Sequence, residues 1–178
     1  KFLIALVGFV VCASILVDSH KRLVAVCVNP TRVTLNVLDP NSLKVLARKK
    51  VANRPFRTDF ATNFAGGGYA VLDDQDRVVL PTAGGLITRW NVSNPKGEAE
   101  ISRIDKFDVN SVLGPGEGIN SALPDVSGSW WIVGQAGSVG LLDMKTGKAQ
   151  GTYFPNTDIE NSFAVGKDGG AYVVTSKE

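Results

Sequence analysis

Histidine and cysteine are scarce in this sequence of 178 residues, and their scarcity excludes several classes of site. It contains one histidine, His20, and two cysteines, Cys12 and Cys27. No zinc finger, multi-histidine metal site or disulfide framework can be built from so few of these side chains. A hydrolase with a histidine base would have to depend on His20 alone.

The sequence also lacks a large excess of either positive or negative charge. Lysine and arginine number 19 against 17 aspartate and glutamate residues, which gives a net charge of +2. So small a charge predicts no binding to nucleic acid or to an anionic membrane surface. The remaining composition, 44% apolar with 19 glycines, is typical of one globular domain whose chain turns often.

An apolar segment, Phe2 to Val17, follows Lys1 at the N-terminus. It is shorter than the roughly 20 apolar residues of a membrane-spanning helix, but it suits the core of a signal peptide. We therefore predict that residues 1–17 are an export signal or a membrane anchor, with a small-residue cleavage site at 11–13. The alternative is an innermost, fully buried strand at 13–17. Export would leave Cys27 without a partner unless Cys12 is retained, so the sequence assigns neither cysteine a role.

An internal repeat with a spacing of 52 residues is the strongest pattern in the sequence. Without gaps, it aligns three apolar segments that begin at Val24, Asp76 and Gly128. It also aligns the pairs Leu38-Asp39, Trp90-Asn91 and Leu142-Asp143, and it aligns Ala70 with Ala122; a shorter step of 42 residues leads to Ala164. We expect four related units, at about residues 18–57, 66–113, 119–156 and 160–178, and the last unit is incomplete.

Within the third unit, short apolar segments alternate with turn-forming residues. Trp130–Val133 is rich in aromatic and β-branched residues, as strands are, and a turn begins at Asp143. Four short strands per unit without helical periodicity are typical of β-propeller blades. The sequence therefore predicts an all-β fold, an incomplete β-propeller of about three and a half four-stranded antiparallel blades.

Blade geometry explains two groups of residues in this alignment. The first strand of each blade lines the central channel, where only small residues such as Ala70, Ala122 and Ala164 fit. The fourth strand is the outer rim, and charged side chains there keep an unpaired edge from pairing with other chains. We assign this protective role to the basic residues on or after the first unit's rim, which are Lys44, Arg48, Lys49, Lys50, Arg54 and Arg57. No aromatic stacking platform for nucleic acid accompanies them.

Two segments resemble repeats of known propeller families. Leu142–Lys148 resembles the Leu-Asp-x-x-Thr-Gly-Lys turn of quinoprotein-like (PQQ-like) repeats, and Leu38–Leu43 is a looser copy. Asn161–Val173 is similar to the Asn-Gly-x-Ala-x-x-x-Asp-Gly-x-x-Tyr-Val segment of gluconolactonase-like (SMP-30) and NHL propellers. As a whole, residues 18–178 resemble bacterial exported propellers without assigned activity. Three and a half units cannot close a ring, so we expect a fragment of a longer chain.

Polar residues precede the predicted channel-lining strands. Asn120 precedes Ala122, and both Glu160 and Asn161 precede Ala164. In gluconolactonase-like enzymes an asparagine of the matching segment is a metal ligand, so the resemblance implies Asn161, and more weakly Asn120, as ligands of Ca²⁺ or another divalent cation. Glu160 would supply the charge, and Asn63 and Asp158 extend the set. The alternative is that these residues cap strands and satisfy backbone groups.

Two functional classes follow from these expectations. The first is an exported module, periplasmic, cell-surface or extracellular, that binds a small molecule or a protein at its channel face without a catalytic motif. The alternative is a metal-dependent hydrolase of lactonase or esterase type, in which the cation polarises a carbonyl and positions a water molecule. A redox quinoprotein is a third class, but no residue identifies a cofactor site. The sequence does not decide whether the protein is an enzyme.

Overall fold

The computed structural model of the chain describes residues 11–29, 32–53, 70–82, 85–114, 118–134, 137–153 and 159–175. These residues form 14 β-strands and one 3₁₀ turn, Asn110–Val112. No helix within these ranges is long and apolar enough to cross a membrane.

The strands form three four-stranded antiparallel sheets and one two-stranded sheet, each in chain order. Sheet I contains β1 (Val11–Val17), β2 (Leu23–Asn29), β3 (Arg32–Leu38) and β4 (Val45–Ala52). Sheet II contains β5 (Val71–Leu72), β6 (Val78–Thr82), β7 (Leu86–Ser93) and β8 (Ala99–Asp108). Sheet III contains β9 (Ile119–Pro124), β10 (Trp130–Gly134), β11 (Ser138–Leu142) and β12 (Ala149–Tyr153). Sheet IV pairs β13 (Ile159–Val165) with β14 (Ala171–Thr175). The predicted all-β fold of four-stranded antiparallel units is confirmed.

The sheets pack face to face in chain order, and sheet II is covered on both faces. Because side chains alternate along a strand, β6 serves two cores at once. Val78 and Leu80 lie in the core shared with sheet I, whereas Val79 lies in the core shared with sheet III. Trp130 is the largest fully buried side chain and belongs to the second core. At the next junction, Trp131 Nε1 donates a 2.8 Å hydrogen bond to the carbonyl of Gly169.

The 52-residue spacing holds for all three third strands, but among the second strands it holds only between sheets II and III. The hairpins pair Leu23 with Leu38, Val78 with Trp90, and Trp130 with Leu142. The second strands of sheets I and II are therefore 55 residues apart, because the first hairpin is three residues longer. The gapless alignment of Val24 with Asp76 is wrong, since Val24 corresponds to Val79.

The expected equivalence of Ala164 with the other two alanines is also wrong, by one residue. Pro124 pairs with Trp130 and Val165 with Ala171, the first residues of their second strands. Two positions back in each first strand, Ala122 corresponds to Phe163 rather than to Ala164. A slip of one residue in a strand places a side chain on the opposite face. Accordingly, Ala122 is buried, as is Ala70, whereas Ala164 is exposed.

Residues 11–17, within the predicted signal segment, form the first strand of sheet I. β1 pairs with β2, and Leu16 packs against the core shared with sheet II. The strand is not fully buried, because Ile15 and Val17 are 64% and 58% exposed on its other face. In register, Ile15 rather than Ala13 corresponds to Ala122. Export through residues 1–17 stays a prediction, and residues 1–10 lie outside the described residues.

β4 is one of the two edge strands of sheet I, opposite β1, as the sequence predicts for the basic rim. Two of its cations also have local partners. Arg48 Nε donates to Asn36 Oδ1 at 2.7 Å, and Lys49 Nζ donates to the carbonyl of Ile101 in sheet II at 3.1 Å. Lys49 therefore links the rims of two sheets. Arg54 and Arg57 lie outside the described residues.

Candidate functional site

The predicted metal ligands fall on the first strands of sheets III and IV. Asn120 is the second residue of β9, while Glu160 and Asn161 follow the first residue of β13. The structure describes their backbone but not their side chains. Asn63 and Asp158 lie outside the described residues. Within the described ranges no three His, Cys, Asp or Glu residues are grouped for metal binding.

The strand register places the two asparagines at equivalent positions. Asn120-Ser121 directly precedes Ala122, and Asn161-Ser162 directly precedes its counterpart Phe163. Both dipeptides coincide with a register shift in the pairing of their strand. β9 and β13 contact each other, so the two irregular segments lie on neighbouring strands. Bulges of this kind occur often beside functional sites, where they redirect side chains.

A separate cleft, which we name the turn-end cleft, lies between sheets II and III at the opposite end of β9. Its volume is about 880 Å³, within the range of small-molecule sites. Asp125 lines it, five residues beyond Asn120, and an extended strand covers roughly 16 Å over that length. Its lining residues are Leu72, Asp73, Asp74, Gln75, Arg77, Arg89, Pro124, Asp125, Val126, Ser127, Gly128, Trp130, Met144 and Lys145.

The turn between β5 and β6 forms one wall of the turn-end cleft. Asp73 Oδ1 accepts hydrogen bonds from the backbone N–H groups of Gln75 (3.0 Å) and Arg77 (2.9 Å). Asp73 Oδ2 accepts from Arg77 Nε at 2.6 Å. An aspartate that binds backbone N–H groups in this way fixes a tight turn. The guanidinium of Arg77 is thereby held at the cleft.

The turn between β9 and β10 forms the facing wall. Asp125 Oδ1 accepts from the backbone N–H groups of Ser127 (2.8 Å) and Ser129 (3.0 Å) and from the Ser127 hydroxyl (2.7 Å). Ser129 takes the place that Arg77 has in sheet II, so this aspartate has no arginine partner among the described residues. Its second carboxylate oxygen faces no donor from them either.

Arg89 and Lys145 bring two further cations to the cleft. Arg89 is bound by Asp105, with a 3.1 Å bond from Nε and a second bond from Nη2, and lies 5.7 Å from the centre of the Phe107 ring. Lys145 is exposed on the turn from β11 to β12. The backbone N–H of Lys145 is the main reason why the pKa of Asp143, which begins that turn, is lowered.

The lining of the turn-end cleft is electrically balanced. Three carboxylates, Asp73, Asp74 and Asp125, face three cations. The apolar part comes from Trp130 and Met144, which are buried, and from Leu72 and Pro124. Such a lining can accept and donate hydrogen bonds without a net field, so it suits a neutral or zwitterionic polar molecule better than a strongly charged one.

Sequence reasoning missed the turn-end cleft, although a signal for its walls was present. An aspartate recurs five residues before the first residue of the second strand in three sheets, in Asp18-x-x-x-Arg22, Asp73-x-x-x-Arg77 and Asp125-x-x-x-Ser129. The gapless 52-residue alignment hid the first copy, because the true offset there is 55. The recurrence predicts the turns, but only their packing in space shows which pair encloses a cleft.

No protein-family model matches the chain, and a comparison with curated proteins gives no significant match. Solved structures do match. The extracellular domain of BT4673, described as a hybrid two-component system, from B. thetaiotaomicron superposes with a TM-score of 0.56 at 19% sequence identity. A second structure of the BT4673 extracellular domain gives 0.51 at 18%. The extracellular domain of BT3049, also described as a hybrid two-component system, from the same organism gives 0.53 at 17%.

These matches cover 92% of this chain but only 19–20% of the matched chains. The chain thus spans about a fifth of the length of the structures it resembles. At this level of sequence identity, the structural similarity shows that this chain and the matched domains share the all-β fold.

Proposed function

We propose that this chain is part of an extracellular β-propeller that binds a small polar ligand in the turn-end cleft. The observation that carries the proposal is the cleft itself, a space of about 880 Å³ with balanced charges and a partly apolar lining. The extracellular origin of the similar structures supports the location.

The packing of the sheets supports the propeller. Each four-stranded sheet has its strands in the order first to fourth. The fourth strands β4 and β8 contact each other, and so do the first strands β9 and β13. Sheets stacked in one orientation are the arrangement of propeller blades. We place the ligand between two blades, at the turns that connect first to second strands.

The ligand class follows from the groups that the turn-end cleft leaves available. Arg77 and Arg89 are bound to aspartates, whereas Asp74 and Lys145 are exposed, and their side chains make no hydrogen bond or salt bridge among the described residues. One acceptor and one donor of opposite charge favour a ligand that carries both kinds of hydrogen-bonding group. A neutral disaccharide and the zwitterion diglycine represent this class. Inorganic phosphate represents the strongly charged ligands to which the balanced lining is poorly suited.

The test is isothermal titration of the chain with these three probes. We expect the disaccharide or diglycine to bind and phosphate not to bind. Asp74→Asn and Lys145→Gln should each weaken binding about tenfold, because each removes a hydrogen bond to a charged group. Lys148→Gln, in the same turn as Lys145 but outside the cleft lining, is the matched control and should bind like the parent chain. Binding of phosphate alone, or equal affinity in all variants, would contradict the proposal.

A second candidate, a divalent-cation site at the start of the first strands, is favoured by the equivalent positions of Asn120 and Asn161. Amide oxygens from two neighbouring strands, with the carboxylate of Glu160, are ligands suited to Ca²⁺. Calorimetry with Ca²⁺ tests it. We expect Glu160→Gln to abolish the heat and Asn161→Ala to reduce it. Equal heats in the parent and both variants would leave these residues as strand caps and would remove the metal-dependent hydrolase from consideration.

A further inference from the structure

Cys12 and Cys27 lie opposite each other on neighbouring strands of sheet I. In the pairing of β1 with β2, Cys12 is the Cα partner of Cys27, next to the register shift that ends at Ser14. Directly opposed residues of an antiparallel pair have Cα atoms about 4.5–5.5 Å apart. Disulfide bonds span Cα distances of about 4.4–6.8 Å. The backbone therefore holds the two cysteines at the distance that a disulfide requires.

Both positions belong to the same face of sheet I. Cys27 is buried, with Asn36 Nδ2 3.4 Å from its Sγ, on the face that points away from the core shared with sheet II. Val26 and Val28, on either side of Cys27 in the sequence, belong to that core instead. Opposed residues of an antiparallel pair occupy one face of the sheet, so Cys12 takes a position beside Cys27.

We propose that Cys12 and Cys27 form a disulfide bond that ties β1 to β2 in the exported protein. The proposal rests on the extracellular location proposed above, because such bonds persist in oxidising compartments. The chain contains no third cysteine that could compete for the pairing. A disulfide oxidant, glutathione disulfide in the test below, accepts two electrons and the two thiol protons. The Sγ–Sγ bond forms as the oxidant's own S–S bond breaks into two thiols.

The bond would act on a strand at the edge of its sheet. Among the described strands β1 pairs with β2 alone, so its attachment there depends on one set of backbone hydrogen bonds and on the packing of Leu16. Closing a loop of about 15 residues restricts the unfolded chain enough to raise the folded-to-unfolded ratio by about two orders of magnitude. The bond also requires that Cys12 remain in the exported chain.

The first test is made on the purified 178-residue chain in a glutathione disulfide buffer. We expect both thiols to resist alkylation, the intact mass to fall by two hydrogens, and peptide mapping to recover a 12–27 crosslink. Reduction should lower the folded-to-unfolded ratio about 100-fold in urea titrations. Cys12→Ser, which leaves the buried Cys27 in place, is the matched control, and reduction should not change its stability. Two reactive thiols in the folded, oxidant-treated chain would overturn the proposal.

The second test uses cells, with thiols alkylated at lysis and the chain recovered from the exported fraction. We expect both cysteines to escape alkylation and to be recovered in one disulfide-linked peptide. If the chain is exported but has lost residues 1–17 or carries two alkylated thiols, the disulfide is excluded while the extracellular binding module stands. If the intact chain is found only in the cytosol, the extracellular location fails, and the oxidation of the purified chain then reports the geometry of β1 and β2 alone.

Discussion

The same Asp-x-x-x-Arg turn lies at two junctions of the molecule, one between sheets I and II and one between sheets II and III. Among the described residues, only at the first junction does the arginine bind both sheets. In sheet I, Arg22 binds Asp18 and also donates from Nη1 to the carbonyl of Gly97 in sheet II, at 3.0 Å. In sheet II, Arg77 donates to Asp73 but to no residue of sheet III within the described ranges. One arginine bridges two sheets, whereas its counterpart stops at its own turn and leaves the turn-end cleft open.

The second junction is closed elsewhere, by the 3₁₀ turn that follows β8. Val112 on that turn packs against the cross-strand pair Gly140–Gly151 of sheet III. A Cβ at position 140 would lie 2.8 Å from Val112 Cγ2, and one at position 151 would lie 3.0 Å from Val112 Cβ. Glycine is needed at position 140 because the turn approaches so closely, and at position 151 also because a Cβ would lie 2.6 Å from the carbonyl oxygen of Val139 in the paired strand. Two neighbouring junctions of one repeat are thus closed at different points, and the difference creates the candidate ligand site.

The largest effect should come from breaking the closed junction. Arg22 and Asp18 have side chains that are 10% and 0% exposed, compared with 21% and 9% for Arg77 and Asp73. Arg22→Ala should therefore cost about 3–5 kcal/mol of unfolding free energy, because it leaves a buried carboxylate without its partner. Arg77→Ala should cost about 1 kcal/mol, since water in the cleft can solvate Asp73. Urea titration measures both, and equal losses would refute the contrast between the junctions.

An intermediate effect is expected where the 3₁₀ turn closes the second junction. Gly140→Ala should destabilise the chain by about 1–3 kcal/mol, because the added methyl group meets Val112. The control is the double variant Gly140→Ala/Val112→Gly, in which both colliding atoms of Val112, Cγ2 at 2.8 Å and Cβ at 2.9 Å, are absent. A favourable coupling of about 0.5–3 kcal/mol in the double-mutant cycle is expected. Additive losses would mean that the turn does not hold the two sheets together.

The smallest effect concerns acid stability of the turns at the ends of the sheets. Hydrogen bonds lower the pKa of three aspartates, chiefly from the backbone N–H of Ser42 to Asp39, from the backbone N–H of Lys145 to Asp143, and from the Tyr172 hydroxyl to Asp168. A lowered carboxyl pKa stabilises the fold above the ordinary pKa of about 4, and this stability is lost as the pH falls through the lowered value.

Sheet II differs here too, since its corresponding turn uses Asn94, whose Oδ1 accepts from the N–H groups of Lys96 and Glu98 at 3.0 Å. Asparagine does not titrate, so the oxygen that holds the backbone N–H groups of this turn is not protonated in acid. The double variant Asp39→Asn/Asp143→Asn should lose less stability than the parent between about pH 6 and pH 3 in urea titrations. Glu100→Gln, an exposed carboxylate without a hydrogen bond among the described residues, should behave like the parent. An unchanged pH profile in the double variant would contradict the assignment.

Much of this architecture could be predicted from the sequence, because strand patterns are local. The turn signals and the β-branched segments give the number of strands per sheet correctly, and the third-strand register of Leu38, Trp90 and Leu142 is right. The errors come from lengths that only pairing reveals. Three extra residues in the first hairpin displace Val24, and one residue in the last step moves Ala164 to the wrong face.

The turn-end cleft could not be predicted in the same way, because it depends on whether an arginine of one sheet finds a hydrogen-bond acceptor in the next sheet. Arg22 and Arg77 occupy the same place in the same motif, and no local pattern distinguishes the one that finds Gly97 from the one that does not. Gly97 presents its carbonyl from a turn that extends three residues farther than its counterpart in sheet III. Closure of a junction is therefore a property of two sheets together. The metal-ligand prediction at Asn120, Glu160 and Asn161 stays a prediction at the other end of β9.

The double role of β6 has a consequence for synthesis on the ribosome. Sheet I emerges before sheet II, and its face with Val24, Val26 and Leu35 stays uncovered until β6, β7 and β8 arrive to complete that core. Val79 then lies on the face that awaits sheet III. Each sheet completes the preceding core and presents the next open face, so order should advance along the chain one sheet at a time. A ribosome pause after β8 would hold the nascent chain with one core closed and a second apolar face available to chaperones.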